Sequence, residues 1–397
     1  MTVPSREHRF FVFAPMRYDS MHARKHGFTH ALEKLAARGV YVEFPGSRSR
    51  YHPGRGRVTL NSGRLRLRVP DDVHSIPARC GVLAVPRKLS FMGVRFGLDE
   101  KRMAPLIRAW LTTYFKHDKA QGRGPRAALV TTARWAPLIR DIPFDVMIYD
   151  KTDIPNTLRG HYSLEEYADL EREIIERSQV LIATSGPLGE ELKGMAGGRE
   201  ATVIPNGVDL TRFEKDRLHS VEDLEDLSQP RLGLVATITH WIDTDWLGEA
   251  ARRYPGWSFV VVGPVTKTAD MRPIGGLSNV HLLGKKPPEE VPSIIEGLDV
   301  CLHLLREGPV RDVNRSTKVW EYLALGKPLV CSWIPDLEDY DRLLYRCRDV
   351  SHFLENLEAA VKETDPSLEQ ERKRQAELNT WESRVGVLFD LLDQRTP

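Results

Sequence analysis

Short apolar runs alternate with amphipathic stretches along almost the whole chain, and that alternation restricts the fold more than any other feature. Arg9–Ala14 (RFFVFA) reads as a buried strand, Gly27–Arg38 as a helix stopped at Gly39, and Val40–Phe44 as the next strand. Cys80–Val85, Ala127–Thr132, Asp145–Tyr149 and Val180–Thr184 continue the series, with a charged helix over Ser163–Arg177. Arg57–Val69 alternates around Asn61-Ser62-Gly63, the mark of a hairpin. From Arg231 the rhythm repeats. Strands at Arg231–Thr237, Ser258–Val262, Val280–Leu283, Asp299–Leu304 and Pro328–Cys331 are separated by helices near Trp246–Tyr254, Pro288–Glu296 and Thr317–Leu325. Helices over Leu354–Glu363, Leu368–Glu377 and from Thr380 onward close the chain. Strands joined through helices form parallel sheets covered on both faces. The expected class is α/β, with two Rossmann-like doubly wound domains facing across a cleft.

A length of 397 residues suits two such domains. The boundary is expected near Pro205–Phe213, where Pro-Asn-Gly marks a turn, giving domains 1–207 and 208–379 and a last helix over 380–397. Residues 1–150 carry 27 Lys+Arg against 12 Asp+Glu, and the rest of the chain carries 30 against 43. A basic first half suits an anionic acceptor or an anionic membrane surface, and equally suits two solvated surfaces that attract each other. Cys80, Cys301, Cys331 and Cys347 are scattered without a CxxC pair, which argues against a disulfide framework or zinc site and fits a reducing cytoplasm. Neither a membrane-spanning run nor a signal-peptide core is expected.

Several chemistries drop out. No GxGxxG follows the first strand, and no P-loop, GxSxG or HExxH motif occurs. The informative segment is Arg311–Val330, RDVNRSTKVWEYLALGKPLV. A helix starting near Ser316, after a strand and a polar loop, offers an anion site at its N-terminus, with Asp312, Asn314 and Ser316 as candidate caps. Lys318 sits in the first turn, where the helix dipole disfavours a cation, and an anion such as a diphosphate would neutralise both. Glu321, three residues on, shares that face and can accept two hydroxyl hydrogen bonds, as from a ribose. Spacing alone fits an ordinary Lys/Glu surface pair equally well.

Four further segments bear on this choice. Ile204-Pro205-Asn206-Gly207-Val208-Asp209-Leu210, preceded by Ser185 after VLIAT, resembles the linker signature of family 4 glycosyltransferases. Lys318-Val319-Trp320-Glu321-Tyr322-Leu323-Ala324-Leu325-Gly326-Lys327-Pro328 resembles that family's K-x-x-E-Y-L-A-x-G-K-P helix. Asn279-Val280 with Leu283-Gly284 resembles its N-V-x-x-L-G strand, and Trp381 with Arg384 its terminal W-x-x-R helix. The resemblance covers roughly residues 145–390. It implies the two-domain GT-B fold, with a C-terminal helix (Val385, Leu388, Phe389 and Leu392 apolar) crossing back to the first domain. It implies a retaining glycosyltransferase that takes a nucleotide-diphosphate-sugar donor, needs no metal or other cofactor, and serves a glycan, lipid-linked or small-molecule acceptor in polysaccharide biosynthesis. Glu321 would hold the donor ribose, and Lys318 with Ser316 and Thr317 the diphosphate. Gly263 and Pro264 would line the donor pocket, with Gly284 and Lys285 near the base.

The pattern also departs from the family. Asn314 stands where many members carry Glu, and TITHWIDTD (Thr237–Asp245) replaces a segment that usually supplies Arg and Lys. His240 or Trp241 could reach the donor, and Lys267 or Arg315 could help Lys318 with the diphosphate. Asp243-Thr244-Asp245 is a DxD, better read as a helix cap at Asp243 than as a metal site. In the first domain, Asp19, Arg24 and His26 follow the first strand and are acceptor-side candidates. Asp153, in Asp150-Lys151-Thr152-Asp153, could orient an acceptor hydroxyl or the donor sugar, with Asp150 capping a turn. Pro86–Lys116 mixes cations with Phe, Met, Leu and Trp, which suits either peripheral contact with the inner membrane surface or a packed helix with a basic outer face. No nucleic-acid motif accompanies the dispersed basic charge. Two other readings share the fold: a nucleotide-sugar epimerase or hydrolase, and a non-catalytic sugar-nucleotide-binding protein.

Overall fold

The computed structural model describes residues 9–14, 24–35, 38–43, 57–61, 64–68, 74–75, 81–84, 88–91, 94–97, 100–120, 125–155 and 162–395. By its contacts the chain divides into two compact units, residues 1–205 with 384–397, and residues 206–383.

The first unit holds an eight-stranded sheet. Its strands are β1 (Arg9–Ala14), β2 (Arg38–Glu43), β5 (His74–Ser75), β6 (Gly81–Ala84), β9 (Arg126–Val130), β10 (Val146–Lys151), β11 (Val180–Ala183) and β12 (Thr202–Val203). They lie in the order β12-β11-β10-β9-β1-β2-β6-β5. All neighbours are parallel except β5 with β6. The apolar runs are what a sheet covered on both faces requires, and β1 and β9 are buried at every position. Phe11 and Phe13 of β1 meet an aromatic group in which Phe115 lies 4.8 Å from Phe11 and Trp135 lies 5.1 Å from Phe13. The helix Leu164–Arg177 begins in a capping box between Ser163 and Glu166.

The last helix, Trp381–Arg395, buries Val385, Leu388, Phe389 and Leu392, and Phe389 lies 5.9 Å from Phe10 of β1. The return to the first unit expected from the terminal helix pattern is therefore present.

The first unit also contains a separate four-stranded sheet, β4-β3-β7-β8, from β3 (Arg57–Asn61), β4 (Arg64–Arg68), β7 (Lys88–Phe91) and β8 (Val94–Gly97). The hairpin expected around Asn61 is its β3–β4 pair. The Pro86–Lys116 segment is not one amphipathic element: K-L-S-F and V-R-F-G alternate with period two and pair as strands, and a helix follows over Glu100–Ala120. Ile107, Leu111 and Phe115 of that helix are buried.

The second unit holds β13 (Arg231–Val235), β14 (Ser258–Val262), β15 (Val280–Gly284), β16 (Val300–His303), β17 (Leu329–Ser332) and β18 (Leu344–Cys347). They form one all-parallel sheet in the order β15-β14-β13-β16-β17-β18. The order steps outward from β13 and then restarts at β16, which is the doubly wound pattern. Asp243 caps the helix Thr244–Arg253 by accepting the Trp246 amide at 3.1 Å, and Asp245 pairs with Arg306 at 2.6 Å. The DxD thus acts as a cap and an ion pair, as its position before the helix suggested. No described helix is long and apolar enough to cross a membrane, and no group of His, Cys, Asp or Glu that could hold a metal occurs among the described residues.

At the end of β14 the register against β15 shifts between Val261 and Val262, and the next residue, Gly263, takes φ +138°. A Cβ there would lie 1.8 Å from the Ala236 carbonyl oxygen, so only glycine fits this crossing. Gly263→Ala is expected to cost about 2–4 kcal/mol in urea unfolding; a loss below 0.5 kcal/mol (roughly the surface-substitution range) would contradict the crowding at Ala236.

Candidate functional site

In the second unit the strand order restarts between β13 and β16, and the crevice beyond the carboxyl ends of those two strands is where doubly wound sheets take ligands. The helix Thr317–Ala324 starts there. Ser316 caps it by accepting the Lys318 amide at 3.2 Å. The Tyr322 hydroxyl accepts the Val235 amide of β13 at 3.2 Å, which ties the helix to the sheet. Val319, Trp320, Tyr322 and Leu323 are buried, so the remaining face carries the polar chemistry.

On that face Glu321 is only 6% exposed. Its Oε1 accepts from Arg212 Nη1 at 3.1 Å, and its Oε2 pairs with Lys318 Nζ. This is not a solvated Lys/Glu surface pair. Burial pushes the carboxyl pKa up, but the charges of Lys318 and Arg212 outweigh it and hold the group below its ordinary value. A carboxylate has about four acceptor positions. Two are taken, so the pair of cations fixes the group while leaving it able to accept hydroxyls.

Arg212 was not foreseen. Asp209 caps the short 3-10 turn Leu210–Phe213, accepting the Thr211 amide at 3.2 Å, and this turn delivers Arg212. Its second nitrogen donates to the Pro288 carbonyl at 2.7 Å. The preceding signature is anchored too: Val208 pairs with Thr380, and a Cβ on Gly207 would lie 2.8 Å from the Thr380 carbonyl carbon. The only hint in the sequence was an arginine two residues beyond Val208-Asp209-Leu210.

His303, at the end of β16, was also missed. Asn314 Oδ1 accepts the Ser316 amide at 3.0 Å, and His303 Nε2 lies 3.2 Å from the same oxygen. A backbone amide can only donate, so the atom shared by both is the carbonyl oxygen and His303 carries its proton on Nε2. The Asn314 amide is thereby oriented with its NH2 donors directed away from both. Burial lowers the His303 pKa to about 4, against the hydrogen bond it donates to Asn314, so the ring is neutral at pH 7.

The other donor-side candidates are placed as follows. The Gly263 amide donates to the Gly284 carbonyl at 2.8 Å, which brings those two glycines together. Pro264, Lys267, His240 and Lys285 are exposed, and Trp241 is half-buried with its ring 4.8 Å from that of His240. Arg315 pairs with Asp336 at 3.1 Å. Thr317 is the first residue of the helix.

In the first unit, Asp19 lies outside the described residues. Arg24 Nε and Nη2 donate to both Asp150 oxygens at 2.8 and 3.0 Å, and both residues are buried. Asp150 is therefore a buried partner of Arg24 and not a turn cap. His26 is buried. Asp153, half-buried beyond β10, accepts the Ile154 amide at 2.8 Å. Lys151 at the end of β10 is fully buried and pairs with Glu171 at 2.7 Å, which also accepts from the Tyr149 hydroxyl.

A family model described as "Glycosyl transferases group 1" matches residues 229–363. A Bacillus subtilis protein, TuaH, whose name assigns it to teichuronic acid biosynthesis as a glycosyltransferase, is 28% identical over 229 residues, 54% of this chain and 58% of TuaH. The chain thus matches less than two thirds of that relative's length. Among solved structures, sucrose-phosphate synthase from Thermosynechococcus elongatus is similar over 98% of both chains, with TM-score 0.66 and 15% identity. An E. coli structure described as trehalose-6-phosphate bound with UDP-2-fluoro glucose covers 98% of this chain and 100% of its own, with TM-score 0.68 and 11% identity. Anabaena HepE in complex with UDP and glucose covers 96% and 99%, with TM-score 0.65 and 14% identity. Residues 229–363 thus match the group 1 glycosyltransferase model, and the chain has the GT-B fold of the solved structures it is similar to.

Two pH-dependent outcomes follow from the buried groups. Arg212→Ala is expected to lose about 2 kcal/mol at pH 7, measured by urea unfolding. Glu321 has a depressed folded pKa, so its contribution is present above the ordinary carboxyl range and fades as pH falls through the folded value. The gap between wild type and variant should therefore narrow below about pH 4. An unchanged gap there would contradict the pairing. For His303, the unfolded chain binds the proton between about pH 6.5 and 4 and the folded chain does not, so wild type loses up to about 3 kcal/mol as pH falls across that window. His303→Gln should remove this part of the slope; identical slopes would show that the ring is not buried neutral.

Proposed function

We propose that the protein is a retaining glycosyltransferase that moves a sugar from a nucleotide-diphosphate-sugar donor to a glycan, lipid-linked or small-molecule acceptor, without a metal, in polysaccharide biosynthesis. The observation that carries this reading is the buried Glu321 carboxylate, held by Arg212 and Lys318 at the start of a helix beyond the β13/β16 switch. In this reading Glu321 accepts the ribose hydroxyls. Lys318, the Thr317 amide, the Ser316 hydroxyl and the Asn314 NH2 supply cationic, O–H and N–H partners for the diphosphate and the sugar next to it. The helix N-terminus favours the same charge.

The reaction breaks the bond from the anomeric carbon to the diphosphate oxygen and forms one to an acceptor hydroxyl oxygen, whose proton passes to the departing phosphate. Negative charge grows on the diphosphate, where Lys318 and the N–H donors are preorganised for it. Those donors do the work a metal does elsewhere. Gly263 and Pro264 line the donor pocket. Gly284 and Lys285 lie toward the base, and His240 and Trp241 come from the β13 loop. With Arg315 engaged by Asp336, the diphosphate falls mainly to Lys318, helped by Lys267. The first unit takes the acceptor, with Asp153 orienting a hydroxyl and Asp19, Arg24 and His26 on the acceptor side. The UDP and UDP-sugar complexes of structurally similar proteins support a nucleotide-sugar donor. The likeness to TuaH supports a polysaccharide product.

Thermal unfolding with a panel of nucleoside diphosphates and their sugars, with EDTA present, tests this reading. A ligand at 100 times its Kd should add about 2.7 kcal/mol to wild type. Glu321→Ala should lose most of that gain. Stabilisation that requires magnesium, or that survives in Glu321→Ala, contradicts the site. Donor turnover with no acceptor added would point to an epimerase or hydrolase instead.

A further inference from the structure

The four-stranded sheet β4-β3-β7-β8 sorts its residues by charge with unusual strictness. Register sets Arg57 opposite Arg68, Thr59 opposite Arg66 and Asn61 opposite Arg64. It continues from Thr59 to Ser90, and from Ser90 to Arg95 and Lys88 to Gly97. Residues opposite one another share a face and successive residues alternate. One face therefore carries Arg57, Arg64, Arg66, Arg68, Lys88 and Arg95. The other positions on it are Thr59, Asn61, Ser90 and Gly97. The opposite face carries only Val, Leu and Phe, as in the pairs Val58–Leu67, Leu60–Leu65 and Leu89–Phe96. None of the four strands contains an Asp or Glu.

Of the two faces only the apolar one suits burial, because burying six cations without carboxylates is prohibitively costly. The cationic face is then a regular array, with alternate residues about 6.7 Å apart along a strand and strands about 4.8 Å apart. Its composition selects the partner. An interfacial membrane element needs apolar side chains beside its charges, and this face has none. Single-stranded nucleic acid is held by aromatic platforms, and this face has no aromatic position. Arginines interleaved with Thr, Asn and Ser suit a chain that carries both anions and hydroxyls. We propose that this face docks an anionic glycan, one with carboxylates or phosphates along its length, as the acceptor side of the transfer. That role as acceptor rests on the function proposed above, but the docking itself does not.

The test is calorimetric titration of the full chain with a short oligogalacturonate, against a neutral malto-oligosaccharide of similar length. Wild type should bind the anionic chain only, with affinity falling steeply with salt. The triple variant Arg64→Gln, Arg66→Gln, Arg68→Gln should bind about ten-fold or more weakly, since each lost arginine forfeits roughly one released counterion. The triple variant Arg172→Gln, Arg217→Gln, Arg374→Gln makes the same change in net charge on exposed helices and turns, and should bind as wild type does. If the first triple variant does not fold, Arg64→Gln and Arg68→Gln singly should each weaken binding about two- to three-fold. The proposal is overturned if wild type ignores the oligogalacturonate, or if both triple variants weaken alike. It is equally overturned if the face discriminates instead for phosphatidylglycerol vesicles or single-stranded DNA. Nucleoside-diphosphate stabilisation is read separately, so a failed docking surface and a failed donor site are distinguishable.

Discussion

A carboxylate kept charged inside the protein is the constraint on which the second unit's site depends. Glu321 is buried, and a lone ion there would be expelled or protonated. Arg212 and Lys318 prevent both. Meeting that condition draws in much of the local architecture: the Asp209 cap that turns Arg212 inward, the Pro288 carbonyl that steadies it, and the Tyr322 hydroxyl that holds the helix to β13. The same arrangement explains a lysine in a first helical turn. Its charge is disfavoured by the helix dipole but is partnered one turn on.

A second arrangement acts on the neighbouring loop. His303 is neutral because it is buried, and a neutral imidazole protonated on Nε2 is what the Asn314 oxygen requires. The amide then offers donors where a carboxylate would offer acceptors. In the proposed donor site, Asn314, Thr317 and Lys318 supply N–H groups and positive charge for the diphosphate, and Glu321 supplies acceptors for the ribose. A ligand that is anionic at one end and hydroxylated at the other matches both.

Much of this was legible in the chain. Most strand and helix positions followed from apolar runs and period, because parallel strands buried on both faces are short, apolar and separated by helices; β18 and the helix Gly186–Met195 were not read. The cap role of Asp243 followed from its place just before an amphipathic run. What escaped was set by distance. Arg212 lies 109 residues from Glu321, and Arg24 lies 126 from Asp150, so no local pattern links either pair. His303 sits in an apolar strand whose period says buried without saying why a histidine is there. The β7–β8 pair was hidden because four-residue strands carrying cations resemble an amphipathic helix until the register of β3 and β4 is known.

The most direct measurement of the central claim is a crystal structure of the protein with a nucleoside diphosphate bound. The account predicts the ribose hydroxyls on Glu321, with Arg212 and Lys318 still against that carboxylate. It places the diphosphate over the Thr317 amide, within reach of Lys318 and the Asn314 NH2. A nucleotide bound elsewhere, or one that leaves Glu321 untouched, would contradict it.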